Sequence, residues 1–213
     1  MTVRTALNRT AYIDAALEVI GEVGVDRLSM RNVAARLQVS PMAMYRHFPT
    51  KDDLLAASLE AFIARARVVP DAGLPWEQWV EQAARGMYGA LSRELSWVPL
   101  LGSLRVGAQA IAVTEAFVGK LSAAGFTVEQ SLQAYFAVIQ VVVGAVCLRS
   151  SLAARRVEGA VASSTDVETA IRDGRRDISA QLQSFLRRDQ IDIGLPLVIA
   201  ALRAQLAQAR PLA

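Results

Sequence analysis

Apolar residues recur at steps of three and four along almost the whole chain. Ile13, Ala16, Leu17 and Ile20 form one such stripe, Leu55, Leu59 and Phe62 another, and Leu195, Ile199, Leu202 and Leu206 a third. This is the spacing of single-faced α-helices. The β-branched run Val141-Val142-Val143 lies inside a longer series, Leu132, Tyr135, Phe136, Ile139, Val143 and Val146, whose steps are again helical. It therefore predicts a buried helix and not a strand. Breaks rich in glycine, proline and small polar residues fall at 21–26, 38–41, 48–50, 68–75, 99–102, Gly125 and 155–165, and they divide the chain into about nine or ten helices. The strongest internal boundary is Pro70-Asp71-Ala72-Gly73-Leu74-Pro75. It separates an expected N-terminal domain, 8–67, from a larger helical domain, 68–213, in an all-α fold.

Three helix starts crowd into residues 28–55. Ser29 is placed to N-cap a helix reaching Leu37, Ser40 followed by Pro41 fits an N-cap with proline at the first helical position, and Thr50 precedes Asp52 and Asp53 in a first turn. Helix, three-residue turn and short helix is helix-turn-helix spacing, with the recognition helix at about 40–48. Val33, Leu37, Val39, Met44 and Phe48 are spaced to pack inward against Ile13, Leu17 and Leu55. That leaves Met42, Ala43, Tyr45, Arg46 and His47 facing out. A recognition helix places its N-terminal residues on base edges in the major groove, which requires small or polar groups there. Tyr45 offers a hydroxyl to a phosphate oxygen, and Lys51 stands at a helix N-terminus that already favours an anion. Arg31 is long enough to reach a phosphate or a guanine edge, and Arg46 and His47 add donors. Ser29 and Ser40, at the two helix starts, complete the candidate DNA-facing set.

The strings Leu28-Ser29-Met30-Arg31-Asn32-Val33-Ala34, Val39-Ser40-Pro41, Tyr45-Arg46-His47-Phe48-Pro49 and Lys51-Asp52-Asp53-Leu54-Leu55 resemble the N-terminal domain of the TetR family of bacterial transcriptional regulators. The resemblance covers about residues 8–62. It implies that Tyr45 and Lys51 anchor phosphates, that Pro41, Met42, Ala43 and His47 lie along the groove, and that Arg31 reads a base. Gln38 departs from the pattern, since the family usually has glycine in this turn; a non-glycine residue can still take up a left-handed conformation there, at some cost, and the departure bears on the local turn geometry and not on the fold. The resemblance further implies a homodimeric repressor on a palindromic double-stranded operator, released by a small-molecule effector.

Composition narrows the alternatives. The 213 residues are 53% apolar and 20% charged, ordinary globular values, and a net charge of only +3 argues against a protein that coats nucleic acid through bulk charge. Only one histidine, His47, and one cysteine, Cys147, are present. Metal clusters, Cys-His dyads and Ser-His-Asp triads are therefore not expected, and Cys147 reads as a small buried hydrophobe in a reducing compartment. The acid pairs Asp52/Asp53 and Asp189/Asp192 lie near helix starts, where capping explains them, and no phosphate-binding glycine pattern occurs. No enzyme activity, metal or cofactor is expected. Arg4, Asn8, Arg9 and Asp14 leave no apolar stretch for a secretory signal, so a cytoplasmic location is expected. Gln130–Leu148 is free of charge but carries Gln130, Ser131, Gln133 and Gln140, which reads as a core helix and not a membrane span.

The larger domain offers weaker signals. The apolar helices at about 127–154 and 191–208 predict a dimer interface in a four-helix bundle, with Val142 and Val146 on one and Leu195, Ile199, Leu202 and Leu206 on the other. The expected effector-lining set is Met87, Tyr88, Trp97, Leu100, Leu104, Phe117, Leu121, Tyr135, Phe136 and Ile139, with Gln140 as a polar hook. Arg105 stands between two apolar stretches. Facing inward it points to an anionic or carbonyl-bearing effector, and facing outward it is a snorkelling surface residue.

Overall fold

A computed structural model of the chain describes residues 8–101, 107–157 and 176–209. Among these the elements are α1 Arg9–Val23, α2 Met30–Arg36, α3 Pro41–Tyr45, α4 Lys51–Ala66, α5 Trp76–Arg93, a 3-10 helix Leu95–Leu100, α6 Ala108–Ala124, α7 Val128–Val157, α8 Arg176–Arg187 and α9 Ile191–Ala209, with no strand. Leu104 and Arg105 lie outside the described residues.

The chain divides into two compact units, and the division is not a single cut. The first unit combines residues up to Arg67 with Ser96–Val113, and the second combines Val68–Leu95 with the residues from Thr114 onward. The placement of 96–113 departs from the expected boundary. Trp97, fully buried, stacks on Phe62 of α4 at 5.4 Å between ring centroids. The Glu60 carboxylate accepts a hydrogen bond from the Gln109 backbone N–H at 2.7 Å. Both contacts span more than thirty residues, beyond the reach of a local pattern.

In the first unit α1 packs against α2 and α4, and α2 against α3. The buried face of α1 runs through Tyr12, Ala15, Ala16, Val19 and Ile20, while Ile13 and Leu17 are only half-buried. The expected stripe is thus rotated by about one residue, because Tyr12 brings more apolar area to the centre than Ile13 does. Val33, Met44, Phe48 and Leu54 are fully enclosed and Leu55 is buried, whereas Leu37 and Val39 sit half-buried at the edge. Arg36 pairs with Glu18 at 3.1 Å and with Glu22, and Arg65 pairs with Asp14, which ties α2 and α4 to α1 at the surface.

The second unit is built on α5, α7 and α9, which pack against one another in all three pairings. Trp79 meets Phe117 edge-on at 4.8 Å, and Phe117 meets Tyr135 at 5.0 Å, so a run of aromatic rings joins α5, α6 and α7. Gly194 lets α9 lie close against α7: a Cβ there would lie 2.9 Å from Val141 Cγ1. By length and composition α7 and α9 are apolar enough to cross a membrane. Each buries only part of its apolar surface in this unit, and α9 is pinned to α5 by Arg85–Asp192 at 2.7 Å and Arg203–Glu77 at 2.9 Å.

Cys147 is exposed, contrary to the expectation that it is buried. The covered face of α7 runs through Ala134, Tyr135, Val138, Val142, Ala145 and Val146. One residue beyond Val146 turns the side chain by about 100° and out of the core. Phe136, 58% exposed, is turned out in the same way one residue after Tyr135.

Candidate nucleic-acid interface

The helix-turn-helix is set by local hydrogen bonds. Ser29 Oγ accepts from the Asn32 N–H at 3.1 Å while Asn32 Oδ1 accepts from the Ser29 N–H at 2.8 Å, a reciprocal capping box that starts α2. Asn32 Nδ2 also donates to the Arg27 carbonyl at 2.9 Å, which fixes the chain entering the helix. At the other end, the Val39 N–H reaches the Ala34 carbonyl at 3.0 Å and the Gln38 N–H the Ala35 carbonyl at 3.1 Å. This is a Schellman closure with Gln38 at its left-handed position, φ 54°. Gln38 thus takes the left-handed conformation that glycine adopts more readily, and the turn keeps its geometry without a glycine.

Pro41 opens α3 as its first residue, and Ser40 makes no side-chain cap bond. The helix is shorter than the expected 40–48. It stops at Tyr45, and the N–H groups of both His47 and Phe48 turn back to the Met44 carbonyl at 2.9 Å. Met44 and Phe48 are fully buried and hold α3 down, with the Arg9 guanidinium 4.6 Å from the centre of the Phe48 ring. What α3 leaves outside is Met42, 69% exposed, Tyr45, 47% exposed, and Pro41, Arg46 and His47, with Ala43 half-buried. The His47 ring lies 4.7 Å from that of Tyr12. Arg9 and Tyr12 thus position the outward-facing segment, a role no local signal announces because they are more than thirty residues away.

Thr50 starts α4 with a second capping box. Its hydroxyl accepts from the Asp53 N–H at 3.1 Å, and Asp53 Oδ2 accepts from the Thr50 N–H at 3.1 Å. Lys51, half-buried, is the first helical residue. The charges on these elements fall into two groups. Arg36 and Arg65 are used internally, and the hydrogen bonds that Arg36 donates to Glu22 and then Glu18 hold its guanidinium above even its ordinary high pKa. Arg31, Arg46 and Lys51 make no ion pair among the described residues. Positive charge and hydrogen-bond donors are therefore left open on α2, α3 and the start of α4, the combination that docks on a phosphate backbone and reads base edges.

The expected effector and dimer residues are distributed differently. Trp97 belongs to the first unit. Tyr88, Phe117, Leu121 and Tyr135 are buried in the second, Met87, Leu100 and Ile139 are half-buried, and Phe136 and Gln140 lie on the open face of α7 beside Leu132. Tyr88 donates to Asp189, and burial, followed by that bond, raises its pKa above the ordinary tyrosine value. Val142, Val146, Leu195, Ile199 and Leu202 are buried within the chain, and Leu206 is half-buried. The apolar side chains that α7 and α9 do expose are others, among them Phe136, Leu148 and Leu197.

Comparison with known proteins adds sequence and structural relatives. The family profile described as "Bacterial regulatory proteins, tetR family" matches residues 13–58. An HTH-type transcriptional regulator of Saccharopolyspora erythraea is 33% identical over 146 residues, which are 68% of this chain and 61% of that protein. The chain thus spans somewhat less than two thirds of that relative's length. The class A tetracycline repressor protein from transposon 1721 of Escherichia coli is 34% identical over 67% of each chain. A TetR variant from Acinetobacter baumannii AYE, crystallised in complex with minocycline, superimposes with a TM-score of 0.68 at 26% identity, covering 93% of this chain and 98% of that one.

Proposed function

The chain belongs to the TetR family of bacterial transcriptional regulators, and from that premise we propose that it is a homodimeric repressor which binds a palindromic operator and is released by a small, mostly apolar effector. The observation that carries the reading is the contrast on α3: Met44 is fully buried while Met42, Tyr45, Arg46 and His47 stay open beside Arg31 and Lys51. In this reading Tyr45 and Lys51 hold phosphates, Pro41, Met42, Ala43 and His47 run along the major groove, Arg31 reads a base, and Ser29 and Ser40 set the two helix starts. Two such heads on one site are needed because a short helix spans only a few base pairs. A dimer seated on promoter DNA blocks polymerase without further contacts. The relative crystallised with minocycline supports a small-molecule effector, which acts only by binding one arrangement of the second unit better than another.

The test is binding of the purified protein to its own upstream region and to a randomised DNA pool at two salt concentrations, with Tyr45→Ala and Lys51→Ala as controls. The expected result is an enriched palindrome, with affinity falling in salt and in both variants. Removing Lys51 takes one phosphate contact from each head, so the slope of log affinity against log salt falls by about two for the dimer. A single unrepeated half-site overturns the dimeric reading. Binding that ignores base changes, each of which costs a true reader about 1–3 kcal/mol, overturns site-specific recognition.

A further inference from the structure

Three arginines line one cleft of the second unit. Arg149 of α7, and Arg187 and Arg188 at the end of α8, line a space of about 380 Å³ together with Leu152, Leu186 and Asp189. The three arginines are exposed, and none makes an ion pair among the described residues. Among the described residues Asp189 is the one carboxylate lining the cleft, and it already accepts the Tyr88 hydroxyl hydrogen bond. Arg149 lies 5.8 Å from the centre of the Tyr88 ring, and Arg188 lies 5.3 Å from that of Phe185. Gln190, which also lines the cleft, braces this wall: its Nε2 donates to the carbonyls of Phe185 and Arg188 at 3.1 and 3.2 Å. Much of the ordering that binding requires is therefore already done.

Among the described residues, three positive charges face one negative charge in the cleft, a positive field that a concave wall screens less than an open surface does. A carboxylate takes a guanidinium in two parallel hydrogen bonds, a geometry arginine satisfies better than lysine. Leu152 and Leu186 supply apolar area that an inorganic ion would leave unused, and the volume falls within the range of small-molecule sites. We propose that this cleft binds an organic anion with a short apolar body, its carboxylate among Arg149, Arg187 and Arg188 and its apolar part on Leu152 and Leu186. Through Asp189 and Tyr88 the occupied cleft is joined to the buried face of α5. A role for that ligand as the effector rests on the repressor reading above, whereas the binding itself does not.

The test titrates sodium octanoate, 1-octanol and inorganic phosphate into the full chain by calorimetry, and repeats the octanoate titration with Arg149→Gln and with the double variant Arg187→Gln/Arg188→Gln. Octanoate is expected to saturate a single site, with octanol and phosphate each about ten-fold weaker or more, and each variant is expected to weaken octanoate by about ten-fold or more. All three side chains are exposed, so melting temperatures should not move. If that of Arg149→Gln does, Arg149→Lys, which keeps the charge but not the planar fork, should retain the fold and bind octanoate between wild type and Gln. Octanol or phosphate binding as tightly as octanoate, variants that bind unchanged, or no octanoate binding at millimolar concentration overturns the site. DNA binding is read separately. Octanoate that binds without altering DNA affinity removes only the effector role, and absence of DNA binding without octanoate is a failure of the repressor reading alone.

Discussion

The two units present their informative residues in opposite ways. In the first, the side chains that the sequence marks as functional are outside, and buried neighbours such as Met44 and Phe48 exist to hold them there. In the second, many of the residues marked as functional, among them Phe117, Leu121, Val142 and Leu195, turn out to be the core itself. The difference teaches where each kind of function is written. Reading DNA depends on which groups point outward from a short helix, and that follows from local register. Selecting a small molecule depends on an empty space between helices, and an apolar stripe looks the same whether it lines a cavity or fills one.

The largest effects should come from breaking each core in turn. Phe48→Ala and Phe117→Ala each remove a fully buried ring and should cost about 3–5 kcal/mol. Hydrogen exchange should quicken chiefly in 9–66 for the first and chiefly in α5, α6 and α7 for the second. Equal loosening of both units by either substitution would break the comparison.

A smaller effect sharpens the second unit. Tyr88→Phe removes the hydroxyl donated to Asp189 and should cost about 1–2 kcal/mol in urea unfolding at neutral pH. Because the folded pKa of Tyr88 is raised, the folded chain holds this proton longer than the unfolded chain does. Stability therefore falls as pH rises past 10, the unfolded value, toward the folded one. The variant should lack that part of the alkaline loss. An unchanged alkaline profile would mean that neither burial nor the Tyr88–Asp189 bond raises the pKa of Tyr88.

Smaller still are the caps of the first unit. Thr50→Ala breaks a reciprocal box and should cost about 1 kcal/mol. Ser40→Ala removes no side-chain cap bond, so it should change stability by less than about 0.5 kcal/mol. Thermal melting of the two variants side by side decides this, and an equal loss in both would mean that Ser40 is an ordinary cap. At the turn two effects oppose each other. Gln38→Gly relieves a left-handed residue but loosens the unfolded chain, so the net shift should lie within about 1 kcal/mol, whereas Gln38→Val should be clearly destabilising. Melting of that pair checks it.

Much of the first unit was legible because its determinants are close in sequence. Ser29, Pro41 and Thr50 stand at the helix starts they predict, and Gln38 takes the conformation its place in the turn demands. The rotated face of α1 was not legible, since Ile13 and Tyr12 differ by a single helical step and only packing against α2 and α4 chooses between them. The same holds on α7 for Phe136 and Cys147, each one residue past a buried neighbour. A helix apolar nearly all round carries no internal sign of which face will be covered.

The sequence by itself determined the helical class, the caps and turn of the helix-turn-helix, and the outward-facing set on α3. All of these depend on steric and hydrogen-bonding rules acting over four or five residues. Only the tertiary structure decided that 96–113 joins the first unit, that the expected interface residues of α7 and α9 fill the chain's own core, and that Arg149, Arg187 and Arg188 share one cleft. Those outcomes turn on contacts between residues tens of positions apart, such as Trp97 on Phe62 and Tyr88 to Asp189. Their free energy comes from burial and pairing that do not exist until the helices meet.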